Sequence, residues 1–530
     1  MILGDPALAA LTASGGGRVT IDEAFRRLAQ RRPDAPAVAD APNRGSFAGG
    51  APRRLTYAEA DRVVSAIAGR LRRMGLLTDS IVGIQLPNTV ENVLTILGAL
   101  RAGLIVAPLP LLWRRADAVA ALARVGAKAL ITCGRVGTFD HAQFAMRVAA
   151  EVFSIRYVCG FGPGLPDGVV SFDDLFTAEK LDPIPPFERE RGGNAAEHVA
   201  AITFDVGPSG LVPVARNHPQ LLAGGLGVLL ESGMAQGAVV LSTVVPSSFA
   251  GIALTLLSWI IGGGRLLLHH PFEPDVLAGQ LRDEQCDALV VPGPVAAQLA
   301  DAGILPHARP ASLIAAWRSP DQLAASTAWE QRAPVLTDVS TFGEVGLVPA
   351  RRGADGLPSP MRLGLLLAPR TGPGGAAFGE LTRTEAGTLA MRGSMVPRHS
   401  FPPSAEQSGR PYLKIGPGGL VDTGYACRFD SLSKTLIVTG TPPGVVNVGG
   451  YRFLLRDLQD VCRRIDGGAT LAVLPDPLIG QRLVGNSVHR EAMQAALESV
   501  GVNPLVIAAF SDRSERPARW PRQVQAAAWR

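Results

Sequence analysis

The sequence predicts an α/β protein: a large multi-subdomain N-terminal α/β domain with a small β subdomain, followed by a small α+β C-terminal domain. Three observations predict it. Short apolar runs alternate with helical stretches over residues 20–132, the rhythm of parallel strands joined by helices. Over 353–396 the pattern changes to shorter strands and turns. Pro442-Pro443-Gly444 is then the sharpest break in the final third. The boundaries follow: 1–440 for the large domain, with the β subdomain at about 353–440, and 441–530 for the small one.

The elements follow in order. Residues 20–31 read as an amphipathic helix, with Asp22 in the first turn where a carboxylate suits the helix dipole. Residues 41–52 are a loop. Thr56 and Glu59 have the spacing of a capping box, opening a helix that runs to about Met74 and stops at Gly75. Residues 80–86 are a short apolar strand, and Pro87-Asn88 turns it into a helix over about 90–102. A strand at 104–108, a helix at 116–125 and a strand at 129–132 complete the first series. The Gly/Pro-rich run at 160–168 interrupts it. It resumes at Val199, with a helix over 219–230 and a strand over 239–245.

Residues 249–268 are strongly apolar, but Gly262-Gly263-Gly264 and Arg265 break the run before it reaches about 20 residues. A buried helix, a glycine turn and a buried strand account for it, and no membrane span is expected. A helix at 275–285 and a strand at 288–291 follow. From Val445 onward a compact tail of strand, helix and strand is expected.

Composition narrows the function. The chain has 530 residues, 47% hydrophobic and 18% charged, which excludes a disordered polymer or a small disulfide scaffold. A net charge of +5 provides no nucleic-acid stripe. The five cysteines are scattered and without a CxxC pair, as suits a reducing cytoplasm. The N-terminus lacks a basic stretch before its apolar run, so no signal peptide is expected. Of 51 basic residues only Lys128, Lys180, Lys414 and Lys434 are lysines. A GC-rich coding bias explains most of that, yet lysine-dependent chemistry is left with four positions.

Several ordered stretches carry a resemblance. They are Leu55-Thr56-Tyr57, Leu86-Pro87-Asn88, Leu97-Gly98-Ala99 through Ala107-Pro108-Leu109, residues 126–131 with Phe139-Asp140, 446–452 and 474–480. Together they resemble the AMP-forming acyl-CoA synthetases of the adenylate-forming superfamily. The 126–140 stretch is similar to a branch acting on alicyclic or aromatic acids. The resemblance implies ATP and magnesium, an acyl-adenylate intermediate, then displacement of AMP by coenzyme A. It implies a small carboxylic acid or acyl-CoA as partner, and a small C-terminal domain that rotates between steps. A homodimer or a partner enzyme stays open.

The family's phosphate loop maps to residues 203–213, where Thr203, Gly207, Ser209 and Gly210 keep its composition. Phe204, Val206 and Pro208 do not suit a phosphate nest, Asp205 adds a negative charge, and no lysine closes the loop. A bare turn between a strand and a helix is the other reading. The magnesium motif maps to Ser340-Thr341-Phe342-Gly343-Glu344, with Glu344 at the carboxylate position as metal ligand and catalytic residue; a surface glutamate after a strand is the other reading. Tyr425 stands where the family has its ribose-binding aspartate, and Asp422 lies an odd offset away. The hinge reads Gly440-Thr441-Pro442-Pro443, with a proline at the pivot. Gly449 and Gly450 belong to the loop after it and complete the cofactor-binding set. The final catalytic lysine has no counterpart in residues 517–522.

Two functions stay open. One is an AMP-forming acyl-CoA synthetase in which arginines such as Arg216 or Arg519 replace lysine charge and Glu344 holds magnesium, with the lost motifs pointing to impaired or absent adenylation. The other is a non-catalytic homologue that binds a carboxylate, nucleotide or acyl-CoA, or scaffolds a partner enzyme. His269-His270 is a weak metal pair, because neighbours on a strand point to opposite faces.

Overall fold

Thr20 and Thr56 each accept a hydrogen bond from the backbone of the glutamate three residues on, Glu23 and Glu59, which reciprocate. These two capping boxes start the helices Ile21–Arg31 and Tyr57–Arg73. The computed structural model describes residues 19–177, 184–185, 193–305, 310–323, 326–330, 334–367 and 377–511. The arginine-rich tail with Arg519 and residues 517–522 lies outside them, as does Lys180.

Two largely parallel sheets form the large domain. One has eight strands, with Val335–Phe342, Ser312–Trp317, Ala288–Pro292, Val239–Ser242, Arg265–Leu268 and Pro36–Ala39 parallel to one another. The other has seven, centred on Ile105–Pro108, Ile81–Ile84, Ala129–Cys133 and Tyr157–Phe161. In the first sheet Val240, Leu266, Val290 and Ile314 enter one apolar cluster. Their chain neighbours Leu241, Leu267, Leu289 and Leu313 enter another. Period-two alternation with both faces apolar is what a sheet buried on both sides requires. The first cluster also takes Val82, Ile84, Val106 and Ile131 from the second sheet, so one core joins the two.

The helix Val90–Arg101 is buried along its length up to Leu100. Its first turn is fixed by charge: Asp40 accepts from the Val90 N–H, and Arg44 bridges Asp40 and Glu91. The apolar segment at 249–268 forms a helix, a glycine turn and a buried strand, as expected. Its middle turn, Ile252–Leu257, is π-helical. A six-stranded antiparallel sheet spans 361–440. The small domain holds a four-stranded antiparallel sheet from Val445–Val448 to Gly480–Asn486, with the helices Leu455–Ile465 and Arg490–Val500.

One element differs from both readings of the sequence. Residues 203–217 are neither an open loop nor a bare turn into a helix. Val199–Gly207 and Gly210–Asn217 form an antiparallel hairpin, paired residue by residue down to Gly207 opposite Gly210. The helix His218–Ser232 begins only after the second strand, capped by Asn217.

Candidate functional site

The hairpin decides what the four loop residues can do. Backbone groups facing across it are spent on the ladder. Pro208 and Ser209 form an exposed two-residue tip, and Gly210 has φ +118. Gly207, Ser209 and Gly210 therefore meet only at the tip. Thr203 sits four residues back from Gly207 and is buried at 2% exposure. A cradle of converging N–H groups is not formed among them. The physical reason is the sequence between them: Phe204, Val206, Leu211 and Val212 extend as strands where small polar residues would turn.

Beside the hairpin lies a charged cluster. Asp205 Oδ2 accepts from the Glu344 N–H at 2.8 Å, and its other oxygen is ion-paired to Arg452 of the small domain. Glu344 Oε2 accepts from the Phe249 N–H at 2.7 Å. Burial, then the nearby Asp205 carboxylate, push the Glu344 carboxyl above its ordinary range. Arg216 is buried at 1% exposure. It donates to the carbonyls of Met395, Val345 and Glu344, and its guanidinium lies 3.8 Å from the Phe249 ring centroid. Burial lowers its pKa to about 10. Its Nη1 has no hydrogen-bond partner.

Gly343 has φ +56, and a Cβ there would collide with the Asp205 carboxylate and the Arg452 guanidinium. Only glycine lets these two charges meet. Tyr425 is fully buried, edge-on to Phe342 at 5.3 Å between centroids. Asp422 is exposed and accepts from the Gly424 N–H, so the odd offset does put it on the opposite face. Sequence reasoning flagged Asp205 as a misplaced charge. It missed Arg452 as the partner, and a long-range pair of this kind leaves no spacing signal.

Magnesium takes near-octahedral oxygen sets. Glu344 is buried with one oxygen already accepting a backbone N–H, and the Asp205 oxygens are taken by Arg452, Val206 N–H and Glu344 N–H. Among the described residues no group of three His, Cys, Asp or Glu could hold a metal ion. In this arrangement the residues do not fit magnesium. His269 uses both ring nitrogens, one with Gln280 and one accepting from the Glu273 N–H, so its role is structural.

Gly449 and Gly450 have φ +57 and +83 and form the two-residue turn between Val445–Val448 and Tyr451–Leu454. Positive φ at both central positions is the type I′ hairpin requirement, which glycine meets without strain. The turn faces a cavity of about 380 Å³ between the domains. Val244, Val245, Phe272, Val295 and Trp317 line the large-domain side, and Tyr451 and Ile479 the small-domain side. Arg318 supplies the cation, donating to the Gly450 carbonyl at 2.9 Å and to Ser248 Oγ at 3.0 Å. A larger cavity, about 1020 Å³, shares Trp317 but runs over the outer face of the sheet towards Trp329. Neither Asp205 nor Glu344 lines it.

Residues 25–343 match the family described as AMP-binding enzymes. The chain belongs to that family. It is 26% identical over 476 residues to a salicylyl-CoA synthase / salicylate adenylyltransferase of Streptomyces sp, covering 84% of this chain and 82% of that one. It is 32% identical over 170 residues to a salicyl-AMP ligase / salicyl-S-ArCP synthetase of Mycobacterium tuberculosis, covering 32% of this chain and 28% of that one. Among solved structures, the amide bond synthetase McbA from Marinactinospora thermotolerans superposes with a TM-score of 0.66 at 19% identity, covering 91% and 94% of the two chains. Apo MbtA of Mycobacterium smegmatis gives 0.62 at 21%, covering 94% and 92%. These likenesses fix the AMP-binding fold, with its large and small domains. Among the described residues no helix is long and apolar enough to cross a membrane. All five cysteines are free and buried.

Proposed function

We propose that this AMP-binding enzyme homologue binds a small, largely apolar carboxylic acid between its two domains and has impaired or absent adenylation. The observation that carries the reading is the closed hairpin at 199–217 with Asp205 at its side. Activating a carboxylate with ATP needs positive charge and N–H donors aimed at the phosphates. Here the N–H groups serve a ladder. The two buried arginines serve internal acceptors, and two carboxylates stand close together. Losing one charge-stabilising contact typically costs about 10²–10³ in rate, so several losses leave little activity.

The pocket supports the binding half. Its volume lies in the range of small-molecule sites, and its lining is apolar with one cation at the rim. A benzoate-sized acid would stack its ring among Val244, Phe272 and Trp317 and turn its carboxylate to Arg318. The curated relatives named above act on salicylate, which agrees in class. Thioester formation with coenzyme A and amide formation are not assigned.

ATP–pyrophosphate exchange with aliphatic, alicyclic and aromatic acids tests the adenylation half, and calorimetric titration with the same acids tests the binding half. Background exchange with measurable binding of an aromatic acid is expected. Robust exchange with any acid would overturn the reading.

A further inference from the structure

The contacts between the domains are of an unusual kind. Arg452 leaves the small-domain sheet and pairs with Asp205 on the large domain, with side-chain exposures of only 13% and 12%. Gly343 makes room for that pair. Nearby, Asn447 Nδ2 donates to Ser319 Oγ at 2.9 Å and to the Arg318 carbonyl, while Arg318 donates back to the Gly450 carbonyl. The Leu112 N–H donates to the Tyr451 hydroxyl at 3.2 Å, and Tyr451 packs into the large-domain cluster around Trp113. At the far end of the seam the Ala116 N–H donates to the Gly501 carbonyl.

The connection between the domains is stiff as well. The Val445 N–H donates to the Pro442 carbonyl at 3.0 Å, with Pro443 and Gly444 at the two central positions and Gly444 at φ +74. Proline then glycine is the residue order of a type II turn. Thr441 Oγ1 closes the same turn by donating to the Val445 carbonyl at 2.8 Å. Pro442 rests on Gly424, where a Cβ would come within 3.1 Å of it.

We propose that the Asp205–Arg452 pair is an interdomain lock that, with the closed turn at 441–445, holds the small domain in one orientation and keeps the pocket at Arg318 permanently assembled. Removing one partner while the seam stays closed leaves the other charge buried without its counter-ion, which is costly and favours opening. Separating the domains with the pair intact would break this contact together with those of Asn447, Tyr451 and Gly501. The turn has no spare backbone donor at Pro443 to re-form bonds on the way. The lock rests on the proposed function only for what the pocket binds. The fixed orientation stands on the contacts themselves.

The test uses the full chain. Phe153 and Val488 are 95% and 86% exposed on the two domains, and the native cysteines are buried. F153C/V488C can therefore carry a dye pair, read by single-molecule energy transfer. The unlocked variants are Asp205→Asn and Arg452→Gln, with the charge swap D205R/R452D as a rescue. Hydrogen exchange of residues 445–454 gives a second readout.

The parent is expected to show one narrow distance distribution, unchanged by benzoate. Each single variant is expected to show a second, more separated population, with exchange at 445–454 faster by about tenfold or more. The swap should return both signals towards the parent. Benzoate should bind the single variants more weakly than the parent. A single narrow distribution in both single variants, with unchanged exchange, would overturn the lock. So would a parent that already populates two distances. If Asp205→Asn does not fold, Arg452→Gln alone carries the decision. If the parent binds no acid, the reading of the pocket fails while the distance data still decide the lock.

Discussion

His141 shows how one buried ring contributes to the acid sensitivity of this protein. It is 2% exposed, packs edge-on to Phe139 and Phe144, and its Nδ1 has no partner. Burial lowers its pKa from 6.5 to about 3, with the Arg114 charge adding to the shift. The sign follows from proton uptake. Below pH 6.5 the unfolded chain binds a proton that the folded chain refuses until about pH 3. Stability is lost as pH falls across that window, by up to about 5 kcal/mol from this group. His141→Phe keeps the ring contacts and removes the titration. Its urea midpoint should fall less than the parent's between pH 7 and pH 4.5, and an equal fall in both would refute the assignment. Nothing in the sequence marked His141, because an isolated histidine looks the same whether buried or exposed.

At the scale of elements, the hairpin at 199–217 and the strand end at Phe342-Gly343 belong together. The first strand places Asp205, and the turn after Phe342 places the Glu344 N–H against it. Gly343→Ala is expected to break that fit, since the new Cβ meets both charges and the backbone is left-handed there. A loss of about 2–4 kcal/mol in denaturant unfolding is expected, accompanied by loss of the Asp205–Arg452 pair. A change under 0.5 kcal/mol would mean that the turn relaxes freely.

The sequence was legible where a local rule decides the outcome. The capping box formed at Thr56 as its spacing indicates, and the glycine triplet ended the apolar run at 249–262. It was not legible at 210–217. The motif position there suggests a loop or turn, but the apolar residues pair with the neighbouring strand instead. For the site, Asp205 and Glu344 could be listed from motif positions. Their contact could not, because it joins elements 139 residues apart.

The whole molecule behaves as two domains sharing one seam. Asn447, Tyr451, Arg452 and Gly501 each reach a large-domain partner, and the connecting turn adds no slack. Differential scanning calorimetry should therefore record a single transition for the parent. Arg452→Gln should separate a lower-temperature small-domain transition from the rest. Two transitions in the parent would show that the seam does not couple the domains.

Asp205 has one more consequence. One carboxylate serves the turn at Glu344 and the guanidinium from the other domain. A substitution that cleared it away to admit an anion would, in the same step, release the small domain and open the pocket. On the proposed function, removing Asp205 alone would not restore adenylation, because the same change loosens the protein.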